Sequence, residues 1–233
     1  MKALWSTLRW DMVLNFRQGI VYAALWIVIM WSIMLSLVPS AERVPVLISL
    51  LFLEVSIFAF YLMPGFYYLE KAERVLDSLV ISPMPLWVWL VSKTVVFSGL
   101  TLLASAAIAL VVNGPSLHWV WFGAAVLLSG MPVILAGFAL ATRYNGVADY
   151  LFPSIPVLLV LQLPLLSYWG ILEGWFWWIF PTMPGLVLLE AAFQDVTRTR
   201  ALIGVAAGLC YAVPVFGLAL HRYKVTVVRR MGD

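Results

Sequence analysis

The chain has 233 residues, of which 64% are hydrophobic and 11% charged, with 12 Trp and a formal net charge of +3. A soluble domain carries about a quarter charged residues and far fewer indoles, so the composition excludes an ordinary water-soluble enzyme and points to a polytopic membrane protein. A hydrocarbon core roughly 30 Å thick takes about 20 apolar residues per helix, so a chain of this length holds about six crossings and leaves no room for a catalytic head.

The opening residues, MKALWSTLRWDMVLNFRQG, set Lys2, Arg9, Asp11 and Arg17 among apolar neighbours. That pattern is too long and too interrupted for a cleavable signal peptide. Leu4, Trp5 and Leu8 share one helical stripe, so residues 1–19 are expected to form an amphipathic elbow helix in the inner headgroup region, either a simple anchor or a partner contact. Apolar windows of about 19 residues place crossings at 20–38, 46–66, 87–112, 119–142, 151–169 and 201–220. Six crossings put both termini on one side. With the amino terminus inside, inner segments hold Lys2, Arg9, Arg17, Lys71, Arg74, Lys93, Arg143, Arg222, Lys224, Arg229 and Arg230, and outer ones hold only Arg43, Arg198 and Arg200. The excess of inner cations makes both termini cytoplasmic.

Glu54, in the second crossing, is the one carboxylate well inside a span. An intramembrane acid is a functional candidate by default, in the translocation path, at a dimer interface or in proton coupling, and otherwise a carboxyl kept neutral or hydrogen-bonded to a serine or tyrosine. Met30, Met34, Phe58 and Phe60 either line an apolar substrate route or face lipid and neighbouring helices.

The apolar run then breaks at KAERVLDSLVISPMP, residues 71–85. Glu70, Glu73, Arg74 and Asp77 recur at i, i+3, i+4, i+7, opposite Leu69, Ala72, Leu76, Leu79 and Val80, which predicts a short amphipathic helix over 69–80. A Glu70–Arg74 pair would add a few tenths of a kcal/mol. Pro83 and Pro85 end the helix, and Trp87, Trp89 and Lys93 read as interface anchors. Such a helix either covers the ends of two crossings or docks as a knob in a soluble partner.

Later elements are less regular. Pro153, Pro156 and Pro164 predict a kinked fifth crossing. Residues 170–200 are too apolar for a water-exposed loop and are broken by Pro181, Pro184 and Gly185, which predicts two short helices dipping into the outer leaflet, with Trp175, Trp177 and Trp178 in the interfacial belt. Gly204 and Gly208 form a GxxxG in the last crossing, serving internal packing or a subunit contact. Cys210 has no internal partner for a disulfide. His118 and His221 are far apart and no HExxH or Cys/His cluster occurs, which argues against metal catalysis. No GxSxG elbow supports a hydrolase, and no platform for nucleic acid accompanies the basic tail RYKVTVVRR.

The order of features in EKAERVLDSLVISPMPLWVWLVSK resembles the type-2 ABC transporter permeases. In that family a charged cytoplasmic segment after the second span precedes an L-V-S-P run and a lysine at the start of the third, here Glu70, Glu73, Arg74, Leu76, Asp77, Leu79, Val80, Ile81, Ser82, Pro83 and Lys93. Arg74-Val75-Leu76-Asp77 replaces the usual Gly-Thr-Leu-Glu core. IFPTMPGLVLLEAAF is similar to the family's N-P-L-T-x-x-x-E-x-x-R segment, with Pro181, Pro184 and Glu190 in comparable places and Phe180 for the asparagine. The likeness covers nearly the whole chain and is nearest to small drug-export permeases such as the fluoroquinolone exporters.

The resemblance implies one all-helical permease domain over 1–233 in the bacterial inner membrane, with six spans, the elbow, a coupling helix at 69–80 and an outer re-entrant hairpin at 170–200. It implies a dimer, homomeric or heteromeric, that exports a hydrophobic or amphipathic drug-like or lipid-like substrate by alternating access. No GxxxxGK[ST] phosphate loop occurs in these residues, so the chain is expected not to be an enzyme and to bind no cofactor itself, with ATP and Mg handled by a separate ABC ATPase seated on the coupling helix. A proton-coupled carrier using Glu54, or a membrane immunity or scaffold protein without transport, are the alternatives.

Overall fold

The computed structural model describes residues 2–75 and 85–232, and among them it contains helices and turns but no strand. Helix α1 (Lys2–Arg17) and α2 (Ile20–Ser36) meet at a 63° bend. There Gly19 takes φ 80, a left-handed conformation open to a residue without Cβ. Helix α3 (Arg43–Ala72) has 30 residues, about 45 Å at 1.5 Å per residue. It therefore exceeds a hydrocarbon core of roughly 30 Å, and its surplus turns are those that carry Glu70 and Lys71.

Residues 69–72, expected to open a separate surface helix, instead continue α3 without a break. The helix stops at Glu73, and Arg74 follows with φ 58, a left-handed cap that ends the hydrogen-bond ladder. The rest of the expected helix, including Leu76, Asp77, Leu79 and Pro83, lies outside the described residues.

The chain resumes as α4 (Leu86–Asn113), α5 (Trp119–Ala141) and α6 (Val147–Gln162). There follow a single turn, α7 (Leu165–Tyr168), a 3-10 turn at Trp175–Ile179, α8 (Met183–Phe193) and the long α9 (Arg198–Gly232). Of the three prolines in the fifth apolar run, Pro153 and Pro156 are carried within α6, and only Pro164 interrupts it. The tolerated pair stand three residues apart, so the damage to the ladder falls on one side of the helix. Among the described residues, Arg43–Ala72, Trp87–Asn113, Trp119–Ala141, Val147–Tyr168 and Arg198–Val225 are long and apolar enough to cross a membrane, with a sixth crossing if the bent α1–α2 pair counts as one.

The packing centres on α3 and α5, with α8 wedged among α3, α5 and α9. Met183 through Ala192 are all buried. Close approach is possible because Gly185 lacks a side chain: a Cβ there would lie 2.3 Å from Ser129 Cβ of α5. Thr182 Oγ1 donates to Leu161 O at 2.6 Å and ties the wedge to α6. Gly204 and Gly208 face inward, where added Cβ atoms would meet Leu188 Cγ at 3.2 Å and Leu128 Cβ at 2.9 Å, so the GxxxG of the last helix packs the chain's own interior. Trp175 is exposed, whereas Trp177 belongs to the core and donates its indole N–H to Leu172 O.

Candidate functional site

At the end of α3 that leads into the charged segment, three ionisable side chains from three helices meet away from solvent. Lys93 of α4 places Nζ 2.5 Å from Asp11 Oδ1 of α1 and 2.6 Å from Glu70 Oε1 of α3. Lys93, Asp11 and Glu70 are 2%, 3% and 4% exposed, which makes the trio a core feature. The remaining carboxylate oxygens are also satisfied: Ser92 Oγ donates to Asp11 Oδ2 at 2.6 Å, and Trp89 Nε1 donates to Glu70 Oε2 at 3.0 Å. The ammonium also lies 3.8 Å from the Phe66 ring centroid, a cation–π contact.

Glu70 therefore does not stand on a solvent-facing stripe paired with Arg74. It points inward, and Lys93 is fully covered rather than snorkelling to the interface. The reason is mutual: two carboxyls on neighbouring helices supply what a buried ammonium requires, and each would be strongly destabilising alone. Helical spacing records the side of a helix on which a residue sits but not the partner across from it.

Trp89 extends the cluster. Its indole stacks on Tyr223 of α9 at 4.6 Å and leans on Phe138 of α5. Close by, Tyr68 OH donates to Ala141 O, and Lys71 Nζ reaches Asn145 O at 2.8 Å. The two stems of the α3–α4 connection, Glu70 on one side and Trp89 with Lys93 on the other, are thus fastened to each other and to α1, α5 and α9. Glu73 and Arg74, just beyond, are exposed.

Two other expected sites are separate from this one. Glu54, 3% exposed in the middle of α3, accepts from Ser105 Oγ of α4 at 2.7 Å through Oε2, while Oε1 has no hydrogen-bond partner. Glu190, on α8, pairs with Arg200 Nη2 at 3.2 Å. Burial raises the Glu190 carboxyl above the usual carboxylate range, and Arg200 partly restores it. Pro181 precedes α8 and Pro184 sits in its first turn, where a missing N–H costs no helical bond. No group of three or more His, Cys, Asp and Glu arranged to hold a metal occurs among the described residues.

Asp11, Ser92 and Trp89 are the members sequence reasoning missed. The available signal was Asp11 itself, an acid in an otherwise basic and apolar amino-terminal helix.

A model of the fluoroquinolones export permease protein family matches residues 2–231. The chain is similar to the fluoroquinolones export permease proteins of two Mycobacterium tuberculosis strains, CDC 1551 / Oshkosh and ATCC 25618 / H37Rv. Each is 29% identical over 247 residues, covering 100% of this chain and 99% of the relative. With a match over almost its full length and a bundle of apolar helices to carry it, this multi-pass membrane protein belongs to the fluoroquinolones export permease protein family.

Proposed function

We propose that the chain is the membrane-spanning subunit of an ATP-driven ABC exporter. It works as a dimer in the bacterial inner membrane with both termini cytoplasmic, and carries a hydrophobic or amphipathic, drug-like substrate outward by alternating access. A separate ATPase subunit binds and hydrolyses ATP with Mg. The bent α1 acts as the elbow of a first crossing, and the segment from the 3-10 turn through α8 is a re-entrant element on the outer side.

The observation that carries this reading is the clasped connection between α3 and α4. Glu73 and Arg74 stand exposed at the start of a charged segment whose two stems are locked together by the buried Lys93 cluster. A push on Glu73, Arg74, Leu76, Asp77, Leu79 or Pro83 from a docked ATPase would pass as a rigid-body displacement into α1, α3 and α4 together. Glu70 then serves as an anchor of the stem rather than as a contact for the partner.

The test is copurification of the chain with a coexpressed ABC ATPase from the same genome, and export driven by ATP in reconstituted vesicles. Reversing Glu73 and Asp77 to lysine should abolish ATPase binding while membrane insertion persists; export continuing unchanged would refute the docking role. The orphan Oε1 of Glu54 supports the second reading, a proton-coupled carrier. Transport that needs no ATPase and is lost in Glu54→Gln would establish it.

A further inference from the structure

Helix α1 is amphipathic in the inverse sense of a water-facing surface helix. Thr7, Asp11, Asn15 and Gln18, at i, i+4, i+8 and i+11, turn to the bundle and are buried or half-buried, with Asp11 held by Lys93. The opposite face carries Trp5, Arg9, Trp10, Val13, Phe16 and Arg17, all exposed, Trp5 by 74%. Asp11, the one acid in the helix, points away from that face. A helix with water on its outer side puts polar residues there and apolar residues inward. The reversed order in α1 suits lipid outside it.

The 63° bend at Gly19 inclines α1 closer to the membrane plane than to the normal that α2, as a first crossing, would follow. Sixteen residues at 1.5 Å each make α1 about 24 Å long, of which only about 11 Å runs along the α2 direction. Arg9 and Arg17 stand about 12 Å apart along the exposed face, and among the described residues neither is in an ion pair. Two uncompensated guanidiniums with aromatic and aliphatic neighbours match phosphate in charge and the glycerol region beneath it in polarity. A zwitterionic headgroup brings its own cation to the phosphate, so the pair favours headgroups of net negative charge.

We infer that the outward face of α1 is a binding surface for anionic phospholipids of the cytoplasmic leaflet. Arg9 and Arg17 take headgroup phosphates, and Trp5, Val13 and Phe16 lie among the glycerol and first methylenes. The inference rests on the permease reading, which puts α1 on the cytoplasmic side, and adds the lipid class that the elbow recognises. Asp11 leaves the same helix on the opposite side and binds Lys93, which also binds Glu70. Lipid held on the outer face therefore keeps α1 seated on α4 and the α3–α4 stems clasped, which makes anionic lipid an effector of the segment proposed to meet the ATPase.

The experiment titrates the purified full-length permease, in neutral-detergent micelles, with phosphatidylglycerol or phosphatidylcholine bearing a pyrene acyl chain, and reads energy transfer from the tryptophans. At low salt phosphatidylglycerol should be preferred about twentyfold, about fivefold from each arginine, and the preference should shrink at high salt. Arg9→Gln/Arg17→Gln should bring the two lipids close to parity, and Arg9→Lys/Arg17→Lys should keep most of the preference. Arg143→Gln/Lys224→Gln, which removes the same charge from other exposed inner positions, should leave it unchanged. Phosphatidylglycerol should also raise the SDS concentration that unfolds the parent by more than it does for Arg9→Gln/Arg17→Gln. A parental preference in Arg9→Gln/Arg17→Gln, or an equal loss in Arg143→Gln/Lys224→Gln, would overturn the assignment. So would an unchanged preference in the arginine variants alongside lost self-association or lost ATPase binding, the signs of a second copy or a soluble partner on this face. Should the double glutamine variant fail to fold, Arg9→Gln and Arg17→Gln singly, each with a preference about fivefold smaller, decide. The preference intact with no ATP-driven export would remove the exporter reading and leave the surface standing, whereas ATP-driven export with a preference indifferent to these arginines would remove the surface alone.

Discussion

Replacing Lys93 by methionine preserves the side chain's length and removes its charge, leaving Asp11 and Glu70 as two buried carboxyls with no counter-ion. Breaking a buried ion pair from one side typically costs about 3–5 kcal/mol, which is a large share of the roughly 5–15 kcal/mol that holds a domain together. The expected loss for Lys93→Met is about 4 kcal/mol, near a thousandfold in the folded-to-unfolded ratio. Asp11→Asn should cost less, because Lys93 keeps Glu70. The triple variant Asp11→Asn/Glu70→Gln/Lys93→Met removes the desolvation burden along with the attraction and should lie within about 2 kcal/mol of the parent. Unfolding by SDS in mixed micelles, followed by the near-ultraviolet circular dichroism of the tryptophans, reads all three. A Lys93→Met protein within 1 kcal/mol of the parent, or a triple variant as damaged as the single one, would refute the argument.

Trp89→Phe keeps the stack on Tyr223 and loses the donor to Glu70; a loss of about 1–2 kcal/mol in the same unfolding assay is expected. Gly185→Ala forces α8 off Ser129 and should cost about 1–3 kcal/mol, whereas Gly123→Ala, with open space around its Cβ, should be neutral or slightly stabilising. Burial holds the folded Glu190 carboxyl above its unfolded value, so the folded state binds the extra proton, and this contribution to stability falls as pH rises from the usual carboxylate range through the raised one. Arg200→Gln removes the opposing influence and should extend that fall to higher pH, and Glu190→Gln should abolish it. Thermal midpoints measured across about pH 4 to 8 check both.

The long apolar helices were legible because a membrane span writes itself as a continuous run, and the sequence windows at 87–112 and 119–142 nearly coincide with α4 and α5. Pairwise chemistry was not. The i, i+3, i+4 rhythm of Glu70, Glu73 and Arg74 is the same whether Glu70 faces water or a lysine on the next helix, and only the fold brings Lys93 within 2.6 Å. Glu54 stood out as a buried acid, but its donor, Ser105, lies 51 positions away with nothing in the local pattern to single it out. Glu190 drew notice through the resemblance of its segment to a family motif, and its cation, Arg200, comes from the first turn of the following helix. Proline content in the fifth run did not say which of the three prolines would interrupt the helix, and it is Pro164 that does so, with Pro153 and Pro156 inside α6.

The wedge helix α8 has a consequence for how the protein is made. Synthesis delivers it before α9, yet much of its cover comes from α9. A nascent chain halted near residue 197 would leave a short apolar rod that cannot span the bilayer and has only part of its lining. The cover of α8 is completed only when α9 docks, so a chain truncated ahead of α9 is expected to be less stable in the membrane than the parent, a difference that pulse-chase measurement of its lifetime would read.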